Sequence, residues 1–351
     1  MEIIGLDLHK RESQLCRKLP SGRVIDERIP TTRPRFAAAL PAPARILLEA
    51  STESEWVAAY LEGLGHEVIV ADPNFAPMYA TRTRRLKTDK RDARALMEAC
   101  ALGAYRPAYR LSAARRHLRA ELAVRDQLVR TRTRYIALVK TLVRREGLRV
   151  PGGASRGVVA RVAALGLATA APALGAELAP LLALLPVLTR EIAAADARLA
   201  ALAADDPVIR RLATAPGVGV VTAAGVVAVL DDVTRFPSAH AVEAYLGLVP
   251  CEDSSADRRR LGRITKAGNA RARWLLVEAG WRILRSTDAA AAPLRAWGRA
   301  IAKRRGARVA AVAVARRLAG VLYAMWRDAA PYDAAKVRAP AARRPGAGGD
   351  A

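Results

Sequence analysis

Four acidic residues have the types and the spacing of a divalent-metal site. Asp7 and Glu49 each end a short apolar run, at residues 3–6 and 46–48. Asp89 and Asp92 lie three positions apart in a helix-forming segment and therefore share one helical face. Carboxylates packed close together repel one another, and a bound cation or a shared proton relieves the repulsion. The pattern predicts a Mg²⁺ site acting on phosphate; the alternative is two strand-terminal acids and a solvated, salt-bridged helix.

The first 105 residues must form the sheet that holds these acids. Strands are predicted at 3–8, 12–18, 23–29, 45–49 and 67–71, and helices around 53–64 and 88–103. Turn signals such as Ser21-Gly22 separate the first three strands, which predicts an antiparallel meander before the helices begin. We expect an α/β domain over residues 1–105 with a ribonuclease H-like sheet.

The charge of the chain favours a nucleic-acid partner. Its 351 residues carry 58 Lys and Arg against 33 Asp and Glu, a net charge of +25, and basic groups displace counterions from a phosphate backbone. A membrane is the rival partner, but we expect no hydrophobic segment to reach the ~18 to 20 uncharged residues of a spanning helix, and the acidic N-terminus does not resemble a signal peptide. Cys16, Cys100 and Cys251 form no metal-ligand pattern. We expect a cytoplasmic, reduced protein without membrane contact.

Residues 106–205 are predicted to form central coiled-coil helices. A long helix at 111–149 carries an apolar stripe at near-heptad spacing: Leu118, Leu122, Leu128, Tyr135, Leu138 and Leu142. A Pro/Gly break at 150–153 and an Ala-rich stretch lead to a second stripe: Leu185, Leu188, Ile192, Leu199 and Leu202. The second stripe predicts a return helix that packs on the first, as core or as a dimer seam.

The long helix is also strongly basic. Between residues 111 and 149 lie eleven Lys or Arg residues against three acids, an excess of eight positive charges. A charge run is often only a solvated helix face, but this excess favours contacts to phosphate. The residues expected to contact nucleic acid on this helix are Arg115, Arg119, Arg130, Arg134 and Lys140.

Residues 206–332 are predicted to form a mostly helical C-terminal domain. Pro216-Gly217-Val218-Gly219 precedes a helical run, and a Gly-x-Gly turn at a helix start presents backbone N–H groups to an anion. In a basic protein this predicts a helix-hairpin-helix-like phosphate clamp through Gly217 and Gly219, although such glycines are frequently only structural. Further nucleic-acid contacts are expected from four basic residues: Arg259, Arg263, Lys266 and Arg271.

A serine pair, Ser254 and Ser255, lies just before this basic cluster. A serine among guanidinium groups is placed to attack a phosphodiester, because the cations stabilise the developing negative charge. The other interpretation is a DNA-binding loop in which the serines are incidental. The residues by themselves leave both open.

Several of these motifs, in this order, resemble the IS110/IS116/IS902 transposases, also called DEDD transposases or bridge-RNA-guided recombinases. The resemblance rests on GLDLHK, LLEAS, KTDKRDA, the long central helices, PGVG, AYLGLVP and GRITKAGNARAR, and it covers about residues 1–330. Residues 333–351 form a tail outside it, and its composition predicts disorder.

The resemblance implies a mechanism and partners. The acidic tetrad that binds Mg²⁺ in the family's RuvC-like domain is matched by Asp7, Glu49, Asp89 and Asp92. Ser255 matches the nucleophile of the transposase domain, which forms a covalent phosphoserine link to donor and target DNA. A noncoding guide RNA and a homo-oligomer, from dimer to tetramer, are also implied. The family usually has Gly where this chain has Ala256, which leaves Ser254 open as the nucleophile.

Three other functions are compatible with parts of the sequence. A RuvC-like nuclease would use the acids to activate water and cut Holliday junctions by hydrolysis. A sugar kinase or actin-like ATPase also opens with Gly-x-Asp after a strand, but it needs a second Gly-rich loop after another strand, and PGVG lies in a helical region. A catalytically inactive, transposon-derived protein would bind nucleic acid only, although acids stand at all four tetrad positions.

Overall fold

A computed structural model of the chain describes residues 1–79, 88–252 and 261–337. Contacts between Cα atoms divide it into two compact units, Met1–Leu111 and Ser112–Ala351. The first is a mixed α/β unit, and the second is built almost entirely of helices. The coarse prediction of an α/β part followed by a helical part is confirmed.

The first unit contains a five-stranded sheet with the order β3-β2-β1-β4-β5. Its strands are β1 (Glu2–Leu8), β2 (Glu12–Lys18), β3 (Val24–Pro30), β4 (Ala44–Glu49) and β5 (Glu67–Ala71). The first three pair antiparallel, and β4 and β5 pair parallel with their neighbours. The predicted meander is confirmed, and every strand begins and ends within one residue of its predicted bounds.

Helices cover both faces of this sheet, which explains why β1 and β4 are apolar at consecutive positions. On one face Ile4, Leu6, Ile46 and Leu48 pack with side chains of α1 (Arg33–Ala39) and α2 (Ser54–Gly63). On the other face Leu47 packs with side chains of α3 (Asp89–Leu102). Alternating residues of one strand therefore point to opposite helical layers.

The second unit contains ten α-helices and one hairpin within its described residues. The helices are α4 (Ala113–Arg145), α5 (Val158–Ala163), α6 (Leu167–Ala170), α7 (Pro172–Asp205), α8 (Pro207–Leu212), α9 (Val220–Leu230), α10 (Ala239–Tyr245), α11 (Ala270–Arg285), α12 (Ala292–Arg305) and α13 (Ala307–Arg327). The hairpin joins β6 (Pro250–Glu252) to β7 (Leu261–Ile264). Short 3₁₀ turns lie at Ala76–Tyr79, Ser155–Gly157, Val233–Arg235 and Ala334–Lys336.

The last of these turns lies in the predicted disordered tail. Val337, which follows it, packs against the large core cluster of the second unit. The first residues of the tail are therefore structured, and residues 338–351 lie outside the described part of the chain.

The predicted return helix is α7, which runs antiparallel to α4. Ion pairs join the two helices in reverse order along the chain: Arg115 with Asp206, Glu121 with Arg198, and Arg125 with Asp196. The order of the pairs shows the antiparallel arrangement directly. Supercoiled, coiled-coil packing of the two helices stays a prediction.

The predicted apolar stripes are wrong in part of their register. On α4 the buried residues after Leu118 are Ile136, Val139 and Val143, while the predicted Leu138 is exposed. On α7 Ala203 is buried, and the predicted Leu202 is exposed. The predicted stripe followed a heptad spacing of 3.5 residues per turn, whereas Leu118 and Ile136 are five turns apart at 3.6 residues per turn.

Two helices, α7 and α13, are long and apolar enough to cross a membrane by length and composition alone. The expectation concerned a run of uncharged residues, and charged residues interrupt both helices: Glu177 and Arg190 on α7, and Arg308 and Arg316 on α13. Core helices pass the same test, and α13 contributes Val314, Leu318 and Leu322 to the central core of its unit. On α7, whose tested window is mostly exposed, small alanine side chains supply much of the apolar composition.

Candidate active site

Two of the predicted acids lie side by side because their strands are parallel neighbours. Leu6 of β1 pairs with Leu48 of β4, and Asp7 and Glu49 are the next residues on the two strands. Gly5 and Leu47, two positions earlier, face α3, so the alternation of a strand directs Asp7 and Glu49 to the same layer. The carboxyl ends of β1 and β4 thus place both acids at one edge of the α3 face.

Helix α3 brings the other two acids to this edge. Thr88 caps the helix by accepting a hydrogen bond from the backbone N–H of Arg91, and Asp89 and Asp92 form its first turn. Asp92 is buried, whereas the side chain of Asp89 is 50% exposed. Acids in the first turn also interact favourably with the helix dipole.

Gly5 sets the distance between α3 and β1. A Cβ atom at this position would lie 2.0 Å from the carbonyl oxygen of Ala93 and 2.3 Å from the backbone nitrogen of Met97. Only glycine permits so close an approach of a helix backbone to a strand. The acids of α3 therefore lie close to Asp7, because Gly5 of β1 has no side chain that would hold the helix away from the strand.

Asp7 experiences the strongest electrostatic effect at this edge. The pKa of its carboxyl is raised from 3.8 to about 6, chiefly by burial; His9 opposes this rise, and the charges of Asp92, Asp89 and Glu49 add to it. Its side chain is only 13% exposed, and its buried Oδ2 atom accepts no hydrogen bond from the described residues. The other three predicted acids are thus close enough to act electrostatically on Asp7.

His9 is a member of this cluster that the sequence prediction missed. Its Nε2 atom lies 3.3 Å from Oδ2 of Asp7 and 3.4 Å from Oδ1 of Asp89. The spacing Asp-x-His at a strand end could have indicated it, because residues two apart point to the same side. Tyr79 was missed as well; its hydroxyl donates a hydrogen bond to Glu49.

The donor atoms at this edge fit a divalent cation. One ligand atom from each of Asp7, His9 and Asp89 lies within 4.8 Å of the other two. The buried, unsatisfied oxygen of Asp7 is the kind of acceptor that a cation completes. Carboxylate oxygens suit Mg²⁺ and Mn²⁺, and the imidazole nitrogen is a donor that transition metals accept more readily.

In the second unit, the predicted serine region is framed by two backbone contacts. A Cβ atom at Gly247 would lie 2.2 Å from the carbonyl oxygen of Ala267, and one at Gly268 would lie 2.0 Å from that of Tyr245. The AYLGLVP and TKAG segments therefore pack backbone to backbone beside the β6–β7 hairpin. Ser254, Ser255 and Arg259 lie outside the described residues.

The predicted phosphate clamp has a packing role at one of its glycines. Gly217 has a φ of +73°, and a Cβ atom there would lie 2.8 Å from the carbonyl oxygen of Ala279 on α11. Gly219 is exposed and precedes the first turn of α9, a helix whose other residues are almost all buried. Phosphate binding by Gly217 and Gly219 stays a prediction.

The basic residues predicted to contact nucleic acid fall into two groups. Five described members are exposed, Arg119, Arg130, Arg134, Arg263 and Lys266, although Arg130 is also ion-paired. Arg115 instead pairs with Asp206, and Arg130 and Arg271 pair with the two oxygens of Asp126 at 2.8 Å and 2.7 Å. Lys140 is half-buried. The number of arginines on α4 therefore overstates the positive charge that the helix offers to a ligand.

Two family models match the chain. One describes DEDD-type transposases of the IS110 group and matches residues 4–145; the other is described as the transposase IS116/IS110/IS902 family and matches residues 209–295. The "Probable family 20 transposase" of Pseudomonas aeruginosa is 30% identical over 328 residues, which cover 92% of this chain and 93% of that protein. The chain belongs to the IS116/IS110/IS902 transposase family.

Two further relatives are also transposases of insertion sequence elements. The transposase shares 29% identity over 332 residues with the transposase for insertion sequence element IS1111A of Coxiella burnetii, across 93% of this chain and 89% of that one. It shares 26% identity over 335 residues with the transposase for IS1328 of Yersinia enterocolitica, across 92% and 95% of the two chains.

Membership of this family makes the protein a DNA transposase of an insertion sequence. The resemblance predicted from the motifs is confirmed, and the kinase and ATPase alternatives are removed. The first matched region contains all four acids, and the second contains the PGVG turn and the basic segment. The cluster at Asp7 is consistent with the divalent metal that DEDD transposases use.

Proposed function

We propose that the transposase cleaves and exchanges DNA strands with a divalent metal ion held at the carboxyl ends of β1 and β4. The observation that carries the proposal is the buried carboxyl of Asp7, whose pKa is raised to about 6 beside three further acids. A divalent cation would offset this repulsion. The ligands we assign are the predicted tetrad, Asp7, Glu49, Asp89 and Asp92, in a RuvC-like domain.

Mg²⁺ is the ion we assign, because most of the donors are carboxylate oxygens. When bound, it would polarise the scissile phosphate as a Lewis acid. The protein's own contribution is orientation: the hydroxyl of Tyr79 holds Glu49, and His9 lies between Asp7 and Asp89. His9 makes Mn²⁺ the second ion to test.

The nucleophile we assign is Ser255, on the basis of the family motif. Its Oγ atom would form a bond to phosphorus while the bond from phosphorus to the 3′ oxygen breaks. The serine proton leaves, and the 3′ oxygen takes up a proton, so that a phosphoserine link and a free 3′ hydroxyl result. Exposed cations of the neighbouring segment, Arg263 and Lys266, would stabilise the charge on the transferring phosphoryl group.

The partners we assign are donor and target DNA together with a noncoding guide RNA. Phosphate contacts from Arg119, Arg134, Arg263 and Lys266 would supply affinity but little sequence information. Pairing of the guide with DNA would supply specificity. We further propose a homo-oligomer, from dimer to tetramer, that works at the nucleoid in the cytoplasm.

The organisation we propose keeps the predicted domain bounds. A RuvC-like catalytic domain would span 1–105, central coiled-coil helices 106–205, and a transposase domain 206–332 with a helix-hairpin-helix-like element at Gly217 and Gly219. Residues 333–351 would form the tail.

Titration calorimetry with Mg²⁺ and with Mn²⁺ tests the metal site. Asp89→Asn should weaken binding of both ions by about tenfold or more, because a charged ligand is lost. The matched control is Asp72→Asn, since Asp72 pairs with Arg106 and is not among the groups that shift the pKa of Asp7. Equal binding by wild type and Asp89→Asn, or full strand exchange by Asp89→Asn, would refute the metal role.

A nicked DNA substrate that traps a covalent adduct tests the serine. The wild type should form a protein–DNA adduct, Ser255→Ala should form none, and Ser254→Ala should retain it. An adduct that survives in Ser255→Ala and disappears in Ser254→Ala would reassign the nucleophile. Cleavage by the wild type without any adduct would favour the hydrolytic junction nuclease.

A further inference from the structure

Two of the five tryptophans in the chain do not belong to a hydrophobic core. Trp56 packs against the core of the first unit, and Trp297 and Trp326 pack against the core of the second. Trp274 and Trp281, both on α11, are absent from these clusters, and Trp274 is 49% exposed. Tryptophan is enriched at binding surfaces, because its ring offers a large apolar area together with a polar N–H group.

The two indoles share one face of α11. Positions 271, 274, 278, 281 and 285 follow steps of three and four residues, which place them in a single stripe along a helix. The opposite face is the one that packs in the core, through Ala272, Leu276, Ala279 and Ile283. We name the outer face, formed by Arg271, Trp274, Glu278, Trp281 and Arg285, the tryptophan stripe.

Each indole in the tryptophan stripe lies beside an arginine. The guanidinium carbon of Arg271 is 4.2 Å from the ring centroid of Trp274, and that of Arg285 is 5.1 Å from the ring centroid of Trp281. Arg271 is also fixed from the other side, because it donates to Asp126 of α4 at 2.7 Å. Trp274 is therefore part of a pre-organised stack and still has nearly half of its surface exposed.

We propose that the tryptophan stripe binds single-stranded DNA by stacking unpaired bases on Trp274 and Trp281. The proposal deepens the function proposed above and rests on the protein acting on DNA, since strand exchange must expose unpaired bases. Indole rings stack on any base, and arginine adds a cation–π interaction and a positive charge near the phosphates. Seven residues of helix separate the indoles by about 10 Å along the axis, so two bases of one strand can each occupy a ring.

Charge distinguishes DNA from a second copy of this chain as the occupant. The face carries Arg271, Arg285 and the neighbouring exposed Arg282 against a single acid, Glu278. A second copy that presented the same face would bring like charges together, whereas a nucleic acid is attracted to it. The lone carboxylate can accept from the amino groups of bases, which fits a surface that meets bases more than phosphates.

Fluorescence anisotropy with the full-length transposase tests the proposal, with labelled oligo(dT) and a labelled duplex of unrelated sequence as probes. Trp274→Ala and Trp281→Ala should each weaken oligo(dT) binding by about fivefold or more and the double variant by the product, because base stacking is lost. Duplex binding should change by less than about twofold, since paired bases are not available to stack. The salt dependence of binding should not change, because no phosphate contact is removed.

Matched variants separate stacking from other effects. Trp274→Phe with Trp281→Phe should retain most of the oligo(dT) affinity, and Leu202→Ala, which removes an exposed apolar side chain on α7, should retain all of it. Unchanged oligo(dT) affinity in the double alanine variant, or an equal loss on duplex, would overturn the proposal. If the alanine variants lost affinity only for a labelled oligo(U) probe, the surface would be reassigned to RNA. If they sedimented as a smaller species than the wild type and kept their DNA affinity, it would be reassigned to a protein interface. A wild type that binds neither DNA probe would overturn the DNA function itself.

Discussion

The two charged regions of this transposase differ in whether their charged side chains have partners of opposite charge. In the first unit, four acids meet at the edge of one sheet, and His9 lies beside Asp7 and Asp89. In the second unit, several arginines of α4 and α11 already have carboxylate partners, as Arg130 and Arg271 have in Asp126. The acid site leaves a buried oxygen of Asp7 without a hydrogen bond from the described residues, whereas several arginines of the basic region are neutralised within the fold. A count of charged residues therefore underestimates the electrostatic repulsion in the first region and overestimates the positive charge that the second region offers to a ligand.

The largest expected effect comes from removing the contact that holds the acids together. Gly5→Ala places a Cβ atom 2.0 Å from a backbone oxygen of α3, and the clash should lower the free energy of unfolding by about 3 kcal/mol or more. Urea denaturation measures this change. Gly63→Ala is the control, because nothing lies within 4 Å of the added carbon, and it should be neutral or slightly stabilising. Equal stability of the two variants would show that α3 can move away from β1.

A smaller effect is expected from pH in the metal-free protein. The pKa of Asp7 is raised from 3.8 to about 6, so the folded state binds this proton more tightly than the unfolded chain. The contribution of Asp7 to stability is therefore largest below pH 4 and is lost as the pH rises through 6, by up to about 3 kcal/mol.

Thermal unfolding from pH 4 to 7 measures this loss, with Asp7→Asn as the comparison. The variant should lack the part of the decline that belongs to Asp7. Saturating Mg²⁺ should restore stability to the wild type at pH 7 and have little effect on the variant, since a metal favours the ionised carboxylate. Parallel pH curves for the two proteins would mean that the acids do not interact as their positions indicate.

The smallest expected effect concerns the two arginines paired with Asp126. It tests whether these ion pairs keep the arginines from contacting DNA. Asp126→Asn should release Arg130 and Arg271 and make the slope of log affinity against log salt steeper by up to about 1.8, because each new phosphate contact adds about 0.9. Glu177→Gln, at an exposed acid of α7, removes the same charge as a control. The same slope in both variants would show that only net charge matters and that the pairs at Asp126 do not restrain the arginines.

Much of the first unit could be predicted from local patterns. Each strand is a short apolar run bounded by turn residues, and these runs predicted all five strands and the meander. Helix α1 was not predicted, because its seven residues are too few to show a helical period. His9 was missed as a member of the acid cluster because its role depends on Asp89, which is eighty residues away in the sequence.

The second unit shows where periodicity alone is insufficient. The long basic helix and its return helix were predicted correctly, but the buried face of α4 was displaced by one residue after Leu118. Alanine and valine fill so many positions that a heptad and a 3.6-residue period select different stripes. Which stripe is buried depends on the partner helix, and the sequence of α4 does not contain that partner.

The sequence by itself determined the family, the five strands and the antiparallel meander of the first unit, because these are carried by short motifs with fixed local geometry. Only the tertiary structure decided how individual residues act. It placed Asp7 where burial and three other charges raise its pKa, it made Gly5 the point where α3 meets β1, and it divided the arginines into paired and exposed groups. Burial and charge pairing arise from contacts between distant parts of the chain, and these contacts form only when the chain folds.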